Sequence, residues 1–459
     1  MKCRIVLLER LYAALLVKKC IQNNEEEMEM KEMFKIDTAG ENIVYTDTDL
    51  NVEFCVPAND CSGMKYTQEI SPLNEKEDIK KAFLSPVSGK RLSEIAKERK
   101  SKTAAVLISD ATRGIPNAVL AAHVIRELEE GGLKLKDITF FVAIGVHRPA
   151  TEAEMKTALG DFYGKVKIEN HTPFEKNNLI FLGKTSTGTP VSVNKRAYEC
   201  DLHIQIGKVE PHEFAGFSGG RKSVLPGISS EETIHYNHRP EMIMDERATI
   251  GNLEDNPVNI DMIETAEWFR IDYGVNCILN NEMKLAAVFT GGMLESHSAA
   301  VNYVKKYLGV TVPKADIIVT TPGQPLDIDF YQALKAMIGL TGVLDNQVVL
   351  LYCGCKEGIN SPDMLRAFSS SDNLDEVIKY TIDNYEIQMD HVLLTSKILK
   401  KNVKIVLCCP NVDDEDAKNM FMFPEKNPDK AMQLAYKLMG KENPKVLFYP
   451  RPQTGLPEI

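Results

Sequence analysis

Ala104-Ala105-Val106-Leu107-Ile108-Ser109-Asp110-Ala111-Thr112-Arg113-Gly114-Ile115-Pro116-Asn117 decides the fold class. Five apolar residues run without a polar break, too short for a helix and suited to a strand buried on both faces. A polar turn follows. Asn117 to Glu130 then reads as a helix, ended by Gly131-Gly132. Outward from this strand, loop and helix the alternation continues. Strands are predicted at Ile138 to Ile144, Leu202 to Ile206, Asn276 to Asn281 and Leu285 to Phe289, with helices at Ala150 to Leu159 and Glu232 to Met244. Beyond Tyr307 to Pro313 a fresh series starts. It has strands at Ala315 to Val319, Val348 to Tyr352, Val403 to Leu407 and Lys445 to Tyr449, and helices at Phe330 to Ile338 and Asp429 to Met439. This pattern predicts two α/β domains with largely parallel sheets and an active site in the cleft between them. The expected boundaries are an extension over residues 1–30, an N-terminal α/β domain over 31–310 and a C-terminal α/β domain over 311–427. Residues 428–459 are expected to return to the first domain.

The chain has 459 residues, enough for two cores, and a formal net charge of −11. A surface built to hold a phosphate backbone is usually basic, so nucleic acid is a poor fit. The charges Arg4, Glu9, Arg10, Lys18 and Lys19 interrupt the first apolar stretch, which argues against a signal peptide. No other apolar run is long enough to span a bilayer. Residues 1–30 read as an added or mis-started loose helix, or as a short partner-binding helix. Ten cysteines lack a disulfide framework, which fits a cytoplasmic, reducing location. Cys353 and Cys355 flank one glycine, and Cys408 and Cys409 are adjacent. They read as buried thiols and are weak evidence for zinc.

Polar residues gather just past the strands. Asp110 to Arg113 follow the first, Val146-His147-Arg148-Pro149 the second, and Gly207 to His212 the third. The densest run is Pro211-His212-Glu213-Phe214-Ala215-Gly216-Phe217-Ser218-Gly219-Gly220-Arg221-Lys222-Ser223-Val224-Leu225-Pro226-Gly227. Its paired glycines allow backbone to approach a ligand, and successive N–H groups beside two cations could form an anion nest. A tight loop with solvated charges fits the same residues. The spacing is not that of a Walker loop. Lys222 beside Arg221 could also be reactive, because a neighbouring positive charge favours the free amine. His147 and His212 lie at strand ends, a layout suited to two-sided proton transfer, although two unrelated surface histidines fit equally. His235 and His238 are one helical turn apart, a spacing that can bind metal but more often marks a half-exposed helix face. Gln332 and Lys335 share a helix face and could grip a carboxylate, or simply be solvated.

At these residues the chain resembles the lactate racemase family that uses a nickel-pincer nucleotide. The stretch Ala215 to Ile228 carries most of the resemblance. Asp110-x-Thr112-Arg113, Gly145-x-His147-Arg148-Pro149, Gly251-Asn252-Leu253 and Pro325-Leu326-Asp327-x-x-x-Tyr331-Gln332-Ala333-x-Lys335 follow the family's order. The resemblance implies an isomerase, a 2-hydroxy-acid racemase or epimerase. Its cofactor would be Ni(II)-pyridinium-3,5-bisthiocarboxylic acid mononucleotide, loaded by cofactor-biosynthesis proteins. By similarity Lys222 attaches to one thio-acid arm and His238 ligates nickel. Asp110, Ala111, Thr112 and Arg113 hold the mononucleotide, which makes residues 31–310 the cofactor-binding domain, and His147 and His212 are paired acid/bases. Gln332 and Lys335 hold the substrate carboxylate. The implied chemistry moves the α-hydrogen as hydride to the cofactor and back to either face of a flat keto acid. Ala111 stands where these enzymes often carry histidine, and Asp390-His391 stands where a tryptophan is expected, so the pocket wall is expected to differ and the substrate to be a lactate-like or larger 2-hydroxy acid. An oligomer is compatible with all of this. The competing expectations are a metal-dependent hydrolase built on His212, His235 and His238, and a non-catalytic nucleotide- or anion-binding protein.

Overall fold

The computed structural model describes residues 34–67, 70–280 and 283–458. The extension expected over residues 1–30 lies outside the described residues. The chain divides into two units, residues 68–308 and residues up to 67 joined with those from 309 onward.

In the 68–308 unit the strand Ala104–Ser109 is flanked by Leu202–Lys208 and Ile138–Ala143, all parallel. Its uninterrupted apolar sequence suits that central place, because side chains on both faces meet core. The sheet runs Leu285–Gly291, Tyr273–Leu279, Leu202–Lys208, Ala104–Ser109, Ile138–Ala143, Lys167–Asn170, and only the first strand is antiparallel to its neighbour. Helix Asn117–Glu130 buries Leu120, Ala121, Val124, Ile125 and Leu128 against it. The valine, leucine and isoleucine side chains among them contribute about 1.5–3 kcal/mol each when fully buried. The helix expected over Glu232 to Met244 is two, Glu231–Asn237 and Pro240–Ile243. Pro240 disfavours helical backbone at Arg239, which is extended with ψ of 154°, and His238 stands just before it as the C-cap of the first helix.

The other unit holds a six-stranded parallel sheet in the order Phe423–Pro424, Lys404–Cys408, Val348–Tyr352, Ile317–Thr320, Val446–Phe448, Cys61–Met64. Two expected placements are corrected here. The strand expected over Lys445 to Tyr449 does not return to the first domain; it forms as Val446–Phe448 and pairs with Ile317–Thr320. Residues 34–67, expected in the first domain, belong to this unit instead. Strands Phe34–Ala39, Asn42–Asp47 and Val52–Pro57 form an antiparallel meander. Val52, Phe54 and Val56 alternate with exposed neighbours and pack with Val319, Leu350, Val406 and Phe448. Tyr45 fastens the arrangement, its ring 5.2 Å from that of Phe448 and its hydroxyl donating to the Gly63 carbonyl at 3.0 Å. No helix among the described residues is long and apolar enough to cross a membrane.

Candidate active site

The loop after Leu202–Lys208 folds around a buried cation. Arg221 is 1% exposed, and its guanidinium points inward. Nε donates to Asn259 Oδ1 at 2.8 Å and one terminal nitrogen to the Ala215 carbonyl at 2.9 Å. The other terminal nitrogen meets His297 Nε2 at 2.9 Å and the Gly219 carbonyl at 3.3 Å. Gly219 holds φ of 77°, and a Cβ there would stand 2.6 Å from Val209 and 3.0 Å from the Lys208 carbonyl. The expected anion nest is therefore not what the paired glycines build. Asn276 Oδ1 accepts the Gly220 N–H at 3.0 Å, and the Gly219 carbonyl accepts that of Lys222 at 3.1 Å. The glycines let the chain turn tightly enough to bury Arg221.

That turn sends Lys222 the other way. Its Nζ lies 3.2 Å from His212 Nε2 and 5.9 Å from the centre of the Phe214 ring. Burial, then the positive field of Arg221 and Arg113, lowers the amine to about 7, against an opposing pull from Glu213. Burial also holds His212 well below the usual imidazole range, reinforced by Lys222 and opposed by Glu213. At its other nitrogen His212 meets two neighbours with opposite demands. The Ala215 N–H, 3.4 Å away, needs a bare Nδ1, whereas Glu213, at 3.3 Å, favours a protonated one. Either ring nitrogen can therefore carry the proton with local support.

His238 also packs on Phe214. Both imidazoles meet that ring edge-on, His212 at 4.8 Å and His238 at 5.1 Å between centres. His238 Nδ1 lies 3.0 Å from the Ile234 carbonyl, which can only accept, so Nδ1 carries the proton and Nε2 keeps a bare lone pair. Burial and the Lys222 charge lower this histidine to about 3, so it is neutral near pH 7. A neutral imidazole locked by a carbonyl is the arrangement that metal-ligating histidines use.

The His147 loop is tied to the same structure. Gly145 donates its N–H to the Gly227 carbonyl at 2.9 Å. His147 Nδ1 lies 2.8 Å from Asp110 Oδ2, and its side chain is 46% exposed. Asp110 was anticipated only as a cofactor contact, yet its carboxylate engages His147. Ala111 and Arg113 are exposed on the turn Ala111–Arg113, whose backbone also carries Thr112. Arg113 adds to the positive field at Lys222 and His212. Gly251 and Asn252 brace the loop from behind. The Gly251 N–H donates to the Gly216 carbonyl at 3.0 Å, and a Cβ on Gly216 would collide with the Asn252 carbonyl.

Gln332 and Lys335 belong to the other unit, on helix Phe330–Ile338. Asp329 caps that helix by accepting the Gln332 N–H at 2.8 Å. Beside them Tyr331 stacks on His391 at 4.0 Å, where a tryptophan was expected. Sequence reasoning missed Phe214 as a hub and His297 and Asn259 as partners of Arg221. Phe214 alone had a local signal, its place inside the dense motif. The hydrolase expectation lacks its metal set. Among the described residues the three-donor group of His, Cys, Asp or Glu is Cys353, Cys355 and Cys409, and it includes none of His212, His235 and His238.

A family model described as the lactate racemase N-terminal domain matches residues 47–251, and one described as the C-terminal domain matches residues 310–451. The lactate racemase of Thermoanaerobacterium thermosaccharolyticum is 30% identical over 383 residues, covering 81% of this chain and 88% of that protein. That of Lactiplantibacillus plantarum is 30% identical over 375 residues, covering 80% and 88%. The solved lactate racemase apoprotein from T. thermosaccharolyticum superposes with a TM-score of 0.81 at 27% identity, over 89% of this chain and 98% of that one. A Thermotoga maritima protein, 20% identical, shares the fold with a TM-score of 0.61 over 85% of this chain and 99% of that one. With both halves matched in order and the relatives covered over most of their length, the chain belongs to the lactate racemase family.

Proposed function

We propose that this protein racemises or epimerises a 2-hydroxy acid with a nickel-pincer nucleotide held by Lys222 and His238. One observation carries the reading. A lysine amine lowered to about 7 and an imidazole with a bare Nε2 flank the same phenylalanine ring. These residues fit the group. A neutral amine could condense with a thio-acid arm to a thioamide, the carbon–oxygen bond breaking and water leaving, and imidazole nitrogen suits nickel. Arg113 supplies positive charge toward the anionic nucleotide. When bound, the cofactor supplies a hydride acceptor, so the α-hydrogen need not leave as a proton.

The chain's own residues then handle the hydroxyl proton. Asp110 accepts from His147 Nδ1, which leaves Nε2 free to take or return a proton. His212 is neutral and can hold its proton on either nitrogen. Two such bases serve the two hands of one substrate. Gln332 and Lys335 are the proposed holders of the substrate carboxylate. The Tyr331–His391 stack in place of a tryptophan favours a larger or more polar acid than lactate.

The test is to express the chain with the cofactor-biosynthesis proteins, weigh the intact protein, and screen D-2-hydroxy acids by chiral separation. The expected result is a mass adduct mapped to Lys222, nickel in the adduct and inversion of at least one acid. A bare chain mass under those conditions, with no acid inverted, overturns the reading.

A further inference from the structure

The unit that carries Gln332 holds a second constellation. Strands Val348–Tyr352 and Lys404–Cys408 lie side by side, and the Cys353 N–H donates to the Cys408 carbonyl at 3.2 Å just past their ends. Cys353, Cys355 and Cys409 follow those carboxyl ends, all buried and none in a disulfide. Their sulfurs lie within 4.8 Å of one another. Packing alone does not require three thiols to converge, because a free cysteine packs as a small apolar residue that alanine or valine replaces.

The backbone around them is arranged at some cost. Cys355 holds φ of 46°, a left-handed conformation that costs a non-glycine residue about 1 kcal/mol or more. The turn is locked from below by Asp327. Its Oδ1 accepts the Gly354 N–H at 2.6 Å and its carbonyl accepts the Cys355 N–H at 2.9 Å. Cys409 Sγ lies 3.9 Å from the Gly354 carbonyl, on the turn that joins Cys353 to Cys355, so all three sulfurs converge on one backbone segment.

We propose that Cys353, Cys355 and Cys409 bind one thiophilic divalent cation of the zinc type through three thiolates, leaving its fourth position to an oxygen ligand. Zinc–sulfur bonds of about 2.3 Å in a tetrahedron set sulfurs about 3.8 Å apart, which the observed spread accommodates. Each ligating thiol gives its proton to solvent as its metal bond forms, and no electron changes hands. The ion clamps the ends of two adjacent strands. Nothing in this site draws on the nickel cofactor.

The test uses the full chain, reduced, stripped with chelator and titrated with Cd2+ and then Zn2+. One Cd2+ per chain is expected, with ultraviolet sulfur-to-cadmium charge-transfer absorption that Zn2+ abolishes. A metal bound by histidines gives no such band. Cys409→Ser is expected to weaken uptake by at least about tenfold, while Cys408→Ser, a buried thiol outside the cluster, keeps it. If Cys409→Ser does not fold, the wild-type titration decides. No charge-transfer band there, or a disulfide joining Cys409 to Cys353 or Cys355 in protein purified without reductant, overturns the proposal.

Discussion

The floor and the mouth of the Ala215–Gly227 loop are built from adjacent residues and have opposite characters. On the floor Arg221 is charged, buried and satisfied by Asn259, His297 and two carbonyls. At the mouth Lys222 has a neutral imidazole and an aromatic face for company. The same burial that the Asn259, Gly219 and Ala215 oxygens make tolerable at one position leaves a near-neutral amine at the next. Polar satisfaction, rather than sequence distance, separates scaffold from chemistry here.

The largest expected effect breaks the mouth. Lys222→Ala should lower racemisation by at least about a thousandfold in a chiral assay, with the urea midpoint unchanged or raised. A matched loss of stability would show that Lys222 is scaffold as well. Next comes reactivity without mutation. Acylation of Lys222 followed by peptide mapping should rise through pH of about 7, since the amine is free above its lowered pKa. Ordinary lysines titrate near about 10.4, so at neutral pH the difference in free amine is roughly a thousandfold. A Lys222 profile that follows the surface lysines would erase the contrast. His212→Gln removes one proton carrier and should reduce turnover by about a hundredfold or more, with nickel content retained. The smallest effect breaks the floor. Arg221→Met strands the Asn259 oxygen and the Ala215 carbonyl and should destabilise by about 1–3 kcal/mol in urea unfolding. Whatever activity it loses should return in conditions that restore the fold.

The sequence revealed what is local. The continuous apolar run at Ala104 and the glycine stop after Glu130 located their strand and helix, and the same rules placed Phe330–Ile338 and Val348–Tyr352. The polar strand ends named His147, His212 and Lys222 as candidates. What escaped was set by partners far along the chain. Val446–Phe448 carries no mark of which parallel neighbour it joins, since any valine-rich strand fits either sheet. The meander could be assigned only once Phe54 and Tyr45 were seen against Phe448. Arg221 and Lys222 read alike as charges in a loop, because their difference lies in Asn259 and His297, which are 38 and 76 residues away. The three thiols were read as ordinary buried cysteines because Cys409 meets the other two only through strand pairing.

Strand Cys61–Met64 pairs with Val446–Phe448, so one sheet is closed by segments nearly four hundred residues apart, and the 68–308 unit is an insertion between them. On the ribosome the inserted unit can complete its core while the Phe34–Met64 segment still waits for its neighbours. That segment must spend most of the translation time with open strand edges and bare aromatic faces. Chaperone engagement in the cell should therefore concentrate on these earliest strands, and release should follow emergence of the final ones.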